Sequence, residues 1–398
     1  MLSITITGLP VGLAGAVAVG AEAVTGDRVL TLSAGPHDVT VSPVAEAAGS
    51  AFVRAAYGAQ VTSSVACVRD GATTTLAVAY LPIPTSGKLW FGTSNAPEAA
   101  TLLGFSASSL ATTGTRAADR VTNTASSGGF AFDRNGNVWI VGGSPPLARY
   151  RANGFSTGGD KVPDVTIDGS VSFGDAIPGP SVVAFDPQGN LWVSVVSADR
   201  LVRFTPAQLE AGGTPTAAVQ ADGIRAPSGI AFDAVGNLWV AAQDGPSVMR
   251  IDAAHTTVSG TGADLTITAA TPPPVIGTLG APSGLAFDAA GALWVNFDGT
   301  IVKLTAADLA GTGTKMITPA IQIKTDVLSL PSGIAFDEGG GLWFAYAVTQ
   351  IARLAPAQLA ASGSVAPAIV VTSPDLGSGE WTALYPAPAN LPLYHRLP

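Results

Sequence analysis

The sequence predicts an all-β protein, a six-bladed β-propeller with a small N-terminal β-sandwich domain, and three observations carry that prediction. First, a strand–turn–strand unit recurs. It reads "PSGIAFDAVGNLWVA" over Pro227–Ala241, "GFAFDRNGNVWIV" from Gly129, "PSVVAFDPQGNLWVS" from Pro180, "PSGLAFDAAGALWVN" from Pro282 and "PSGIAFDEGGGLWFA" from Pro331. A degenerate copy, "SGKLWFG" from Ser86, keeps only the second strand. Second, the unit tryptophans Trp90, Trp139, Trp192, Trp239, Trp294 and Trp343 stand 47 to 55 residues apart, the period of one four-stranded blade per unit. Third, 47 glycines and 29 prolines accompany 47% apolar residues, a turn-rich chain patterned to bury a core.

The elements follow in order. Residues 1–80 lack the tryptophan repeat and show strand candidates at Ser3–Thr7, Ala14–Val19, Arg28–Ser33, Asp38–Val44, Val61–Val68 and Thr73–Tyr80. That density fits a small sandwich. "YLPIPTSGK" (Tyr80–Lys88), with two prolines, reads as the junction, so the domains are expected at 1–80 and 81–398. In each later unit strand A is the "SGIAFD" run, strand B carries the tryptophan, and strand C ends near a cation. Strand D precedes the next unit. "RFTPAQLEAGGT" (Arg203–Thr214), "LTAADLAGTGT" (Leu304–Thr314) and "RLAPAQLAASGS" (Arg353–Ser364) predict a short helical turn between C and D. Blade 1 lacks strand A, while the tail "GSGEWTALYP" (Gly377–Pro386) has a strand A pattern and no B–C–D set after it. The tail is therefore expected to complete blade 1 and close the ring, which removes exposed sheet edges.

The repeat residues read first as architecture. Asp133, Asp186, Asp233, Asp288 and Asp337 end strand A six residues before tryptophan, followed by Gly136, Gly189, Gly236, Gly291 and Gly340. A carboxylate accepting turn N–H groups and a glycine at positive φ make a tight turn. Calcium would need six to eight oxygens, and one carboxylate with an occasional amide falls short. The tryptophans, in register with the apolar pattern, are expected in the core. Arg149, Arg203, Arg250, Lys303 and Arg353 recur on strand C at the end where strand A finishes. They are expected to pair with the turn aspartates, the alternative being an anion-binding ring.

Formal net charge of −9 leaves no basic footprint for nucleic acid. Cys67 is the single cysteine, excluding an internal disulfide and a multi-cysteine metal site; its flanks Ala66 and Val68 suggest a core position. No run of about 18 apolar residues marks a membrane helix, and no leader is visible at the start.

"PSGIAFDxxGNLWVA", followed by a strand with Ile or Val before Arg, resembles the NHL, gluconolactonase-like and virginiamycin B lyase-like six-bladed propellers over about 300 residues. "GLPVG" and "SAGPHDVTVSP" resemble the PEGA or carboxypeptidase-regulatory type of surface module, with His37 where that pattern has tyrosine. The lactonase resemblance implies a divalent metal held by Glu, Asn and Asp at the inner-strand tops. Those tops here offer only Glu380. The lyase resemblance implies a general-base histidine at the channel mouth, yet His37, His255 and His395 all lie away from strand A starts. No catalytic residue, cofactor or metal site is therefore expected.

The B–C connections vary between blades at the channel-mouth end, and Asp199, Gln243, Asp244, Asn296 and Asp298, with Glu380, make the candidate ligand rim. The expected function is a non-catalytic binding or scaffold protein presenting a rigid face to a protein, peptide or surface glycan. The alternatives are a propeller hydrolase or lyase and a subunit of a surface layer or filament that self-assembles. Low lysine with abundant threonine, glycine and alanine resembles exported bacterial proteins, so an extracellular or cell-envelope location is expected.

Overall fold

A computed structural model describes residues 1–9, 11–42, 44–45, 56–61, 63–82, 89–95, 99–124, 128–133, 136–168, 173, 180–260, 262–269, 281–325, 333–337, 339–346 and 349–384. The alternation of apolar and polar residues near the N-terminus produces two sheets around one core. One sheet has the order Arg28–Leu30, Leu2–Thr7, Thr74–Pro82, Ala56–Val61, Val44–Ala45. The other runs Glu22–Val24, Val17–Val19, Gly35–Val41, Val65–Val68. Leu2, Ile4, Val17, Val39, Leu76 and Val78 meet between them. Tyr80 lies among these residues, accepts the Ala16 N–H and donates to the Ser42 carbonyl. Burial holds its phenol above its ordinary pKa.

Two expectations need correction here. The predicted run Val61–Val68 is two strands, broken where the Ser63 hydroxyl accepts the Val65 N–H and forms a local turn. Cys67 is exposed, not core. Period-two alternation decides it, because Ala66 and Val68 point inward and Cys67 must point out.

The repeats form six antiparallel sheets whose innermost strands are Ser378–Leu384, Phe130–Phe132, Pro180–Phe185, Pro227–Phe232, Pro282–Phe287 and Ile334–Phe336 for blades 1 to 6. Each inner strand touches the next, and blade 6 returns to blade 1, so the ring is a closed six-bladed propeller. The C-terminal strand pairs antiparallel with Leu89–Asn95, placing Ala383 opposite Trp90, as the missing first strand required. Trp90, Trp139, Trp192, Trp239, Trp294 and Trp343 are all buried. Trp90, Trp192, Trp239 and Trp294 meet a phenylalanine ring edge-on or tilted, as Trp239 meets Phe287 of the next blade at 6.3 Å.

The expected helical turns stand at Pro206–Ala211, Ala306–Leu309 and Pro356–Leu359. The Thr205 hydroxyl accepts the Gln208 N–H while the Gln208 side chain returns to the Thr205 N–H, a reciprocal cap. The short strands after two of these turns are not foreshadowed by any local sequence pattern. The chain leaves blade 5 to lay Gly313–Ile317 parallel against the outer strand of blade 4, and Gly363–Val365 of blade 6 does the same to blade 5. Gly159–Asp160 covers blade 1, and Gly114–Thr115 covers blade 6. Among the described residues a fifth strand from a neighbour thus covers the outer edge of four blades, which would otherwise offer free N–H and C=O groups. Among the described residues no helix is long and apolar enough to cross a membrane.

Candidate functional site

The propeller has two ends of different chemistry. At the end where strand A finishes, each turn aspartate accepts backbone N–H groups and the indole N–H of its own blade. Asp233, for example, takes the N–H groups of Val235 and Asn237 and the Nε1–H of Trp239. The same indole–carboxylate bond joins Trp139, Trp192, Trp294 and Trp343 to Asp133, Asp186, Asp288 and Asp337. On strand C the five recurring cations face the tryptophans across the ladder, as Arg250 faces Trp239. All five lie 5.2–6.0 Å from the indole centroid. Blade 1 departs from this: Gly104 stands opposite Trp90, and Arg120 stands opposite Gly104.

Among the described residues the expected pairing of these cations with the turn aspartates is found in blades 5 and 6. Arg353 reaches Asp337 at 2.6 Å and Lys303 reaches Asp288 at 3.3 Å. Arg149 pairs instead with Asp164 and Glu210. Arg250 pairs with Asp252 and donates to the carbonyls of Leu309 and Gly311, while Arg203 donates to the Thr256 carbonyl.

The residue four beyond the aspartate explains the split. Asn137, Asn190 and Asn237 donate their amides to the aspartate oxygen that a cation would take. Blades 5 and 6 carry Ala292 and Gly341 there, and the cation enters. A Cβ on Gly341 would lie 2.3 Å from the Arg353 guanidinium. That signal was present in the sequence.

Burial opposes the charge on Arg149, but its two carboxylate partners hold the guanidinium pKa above its usual value. Burial likewise opposes the charge of Asp164, yet Arg149 and Arg151 bring its carboxyl below the usual range. His255 sits in the exposed C–D connection of blade 4 with Nδ1 2.8 Å from Asp264, and that hydrogen bond and charge raise its pKa. Asp264 is itself lowered by the Asp252 N–H and by His255, against burial. His37 contacts the Ser33 carbonyl in the N-terminal sheets, and His395 lies outside the described residues.

The opposite end is the channel mouth, where the inner strands start. Here neighbouring inner strands touch backbone to backbone: a Cβ on Gly229 would lie 1.9 Å from the Ser283 oxygen, and one on Gly333 2.6 Å from the Thr382 nitrogen. The Ser228 hydroxyl donates across to the Pro282 carbonyl. Between the inner strands lies a cavity of about 40 Å³, room for a few waters. Phe130, Val182, Ile230, Leu285, Ile334 and Trp381 line it, one from each inner strand.

Trp381 is a residue that the repeat pattern does not single out. It lies opposite Gly92, where the equivalent pair in blade 4 is Gly229 and Ala241. The pair continues the register of Trp90 with Ala383, and a bulge follows it at Gly92/Thr93. The indole packs on the apolar cluster of blades 1 and 2 and also on that of blades 3 and 4, so it crosses the channel.

Of the rim residues, Asp244 is exposed and pairs with Arg225. Gln243 is exposed, with its N–H on the Ala226 carbonyl. Asp199 and Asp298 turn their hairpins at φ 51° and 49°, and Asp199 also accepts the Ala226 N–H. Asn296 is a correction. It is fully buried, donates to the Ser283 hydroxyl and accepts the Gly299 N–H, so it holds its own hairpin instead of facing solvent. Glu380 belongs to the C-terminal strand, and its side chain lies outside the described residues. Among the described residues no three His, Cys, Asp or Glu side chains cluster as a metal site.

No family model matches the chain, and no curated protein matches it. Solved structures similar to it include a virginiamycin B lyase from Staphylococcus aureus, 17% identical, aligned over 57% of this chain and 66% of that one, TM-score 0.37. A gluconolactonase-like protein is 17% identical over 73% and 89%, TM-score 0.40. A chain of the nidogen–laminin complex is 15% identical over 74% and 97%, TM-score 0.49.

Proposed function

We propose that the chain is a non-catalytic binding protein that presents the channel-mouth face of its propeller to a ligand. One observation carries this reading. The place where a propeller enzyme would need convergent carboxylates, amides or histidines is filled by apolar side chains from all six inner strands, with Trp381 across it. Among the described residues that lining offers no carboxylate, amide or imidazole for acid–base or metal chemistry. The mouth turns around it carry polar side chains on a rigid ring, an arrangement suited to recognition. An N-terminal module over residues 1–80 acting as a spacer, and a location outside the cell or in its envelope, belong to the same proposal. Both rest on composition and on the surface-module resemblance.

The test is turnover. The purified chain, with and without added calcium or magnesium, is assayed for hydrolysis of a sugar δ-lactone and for linearisation of a cyclic depsipeptide. No rate above buffer is expected. Turnover that disappears in Trp381→Ala would overturn the reading.

A further inference from the structure

We infer that the axis of the ring is a binding site for water, a small ordered cluster anchored by the Thr382 hydroxyl and shared among the blades. The site is independent of what the mouth binds. Each inner strand sets one residue opposite the strand B residue that follows the repeat tryptophan. These are Thr382 against Phe91 in blade 1, then Phe130 against Ile140, Val183 against Val193, Ile230 against Val240, Leu285 against Val295 and Ile334 against Phe344. All six line the cavity between the inner strands. Five of them are apolar, and blade 1 puts a hydroxyl in the same layer. Thr382 is 8% exposed, and among the described residues its Oγ1 has no hydrogen-bond partner. A buried hydroxyl in that condition carries a desolvation cost that one bound water offsets.

The backbone supplies further partners. An inner strand pairs with strand B on one side only, so every second residue turns its N–H and C=O away from strand B, toward the axis. The hairpin bonds fix which residues these are. In blade 4 the Asp233 N–H bonds the Asn237 carbonyl, so Ala231 and Gly229 also bond toward strand B and the peptide groups of Ile230 turn to the axis. The same bond from Asp133, Asp186, Asp288 and Asp337 gives Phe130, Val183, Leu285 and Ile334 that orientation. The layer with apolar side chains therefore offers peptide donors and acceptors in equal number to the space it encloses.

That mixture selects the occupant. A cation wants oxygen ligands without competing N–H donors, and a dry cavity wants walls with neither. Donors and acceptors together with one hydroxyl, around about 40 Å³, match a cluster of roughly three waters. Inner strands of neighbouring blades belong to separate sheets, so these waters join blades that no ladder joins.

The test is a crystal structure of the full chain at a resolution that shows ordered water, with and without a rubidium chloride soak. At least one water within hydrogen-bond distance of Thr382 Oγ1 is expected, and it should be missing in Thr382→Val. An empty cavity in the wild-type chain overturns the inference. So does a peak there that gains anomalous signal on the rubidium soak, which would make it a cation site. Thr382→Val also gives an answer in solution, because valine keeps the shape and removes the hydroxyl. Where a water holds that hydroxyl the variant loses a hydrogen bond, and its folding equilibrium constant in urea titration should fall about fivefold. Where the hydroxyl is buried dry, the substitution removes a desolvation cost instead. An unchanged or raised constant therefore overturns the inference. The wild-type crystal decides the matter even where the variant fails to fold.

Discussion

Replacing Asp337 by alanine should be the most costly single change in the blade repeat, and the structure gives its size. The carboxylate is 0% exposed and takes the Arg353 Nε–H at 2.6 Å, the Trp343 indole N–H at 2.8 Å and the Gly341 N–H at 2.8 Å. The Arg353 side chain is itself only 13% exposed. Removing one partner of a buried pair takes that compensation from the other charge, at about 3–5 kcal/mol. The orphaned N–H groups overlap with that figure and are not added to it. A loss of about 4 kcal/mol, over roughly 300 residues at about 2.1 cal/mol/K each, lowers the melting temperature by about 6 °C. Differential scanning calorimetry of Asp337→Ala and of Asp337→Ala with Arg353→Met checks it. The second substitution removes the stranded charge, so the double variant should regain at least about 1 kcal/mol over the single one. If the double variant melts no higher than Asp337→Ala, the stranded-charge argument is refuted.

Three further outcomes are expected. Gly341→Asn should force Arg353 out of its seat beside Asp337, because a Cβ there meets the guanidinium at 2.3 Å, and should cost about 2–4 kcal/mol in chemical denaturation. Gly229→Ala should cost about 2 kcal/mol or more by the same assay, since its Cβ would lie 1.9 Å from a backbone oxygen of blade 5 that cannot step aside; an unchanged midpoint would show that the inner strands are not in contact. His255, hydrogen-bonded to Asp264, should titrate above 6.5 by NMR, and Asp264→Asn should bring it back down. A raised folded pKa means that this contribution to stability is full below pH 6.5 and is lost as pH rises through the folded value.

What the sequence determined by itself was local or periodic. Period-two alternation, Asp–x–x–Gly turns and a tryptophan every 47 to 55 residues specify strands, hairpins and blade number, because each depends on residues a few positions apart. The closing role of Gly377–Pro386 was legible for the same reason: one strand was missing at the start and one was left over at the end. The choice of partner for each strand C cation was also written there, in Asn against Ala or Gly four residues after the aspartate. Reading it required knowing that tryptophan and cation share one face of the ladder.

The tertiary structure decided the rest. Asn296 reads as a rim amide until Ser283 and Gly299 are seen to use both ends of its side chain. The fifth strands join segments of neighbouring blades that no local pattern connects. Trp381 reads as one more apolar residue in a strand. It faces the shared channel only when the C-terminal strand pairs with Leu89–Asn95, so that it stands opposite Gly92, 289 positions earlier, and ring closure brings blades 3 and 4 against its indole. Which side chain faces a shared channel depends on the register of strands brought together from opposite ends of the chain, and sequence periodicity carries no information about that register.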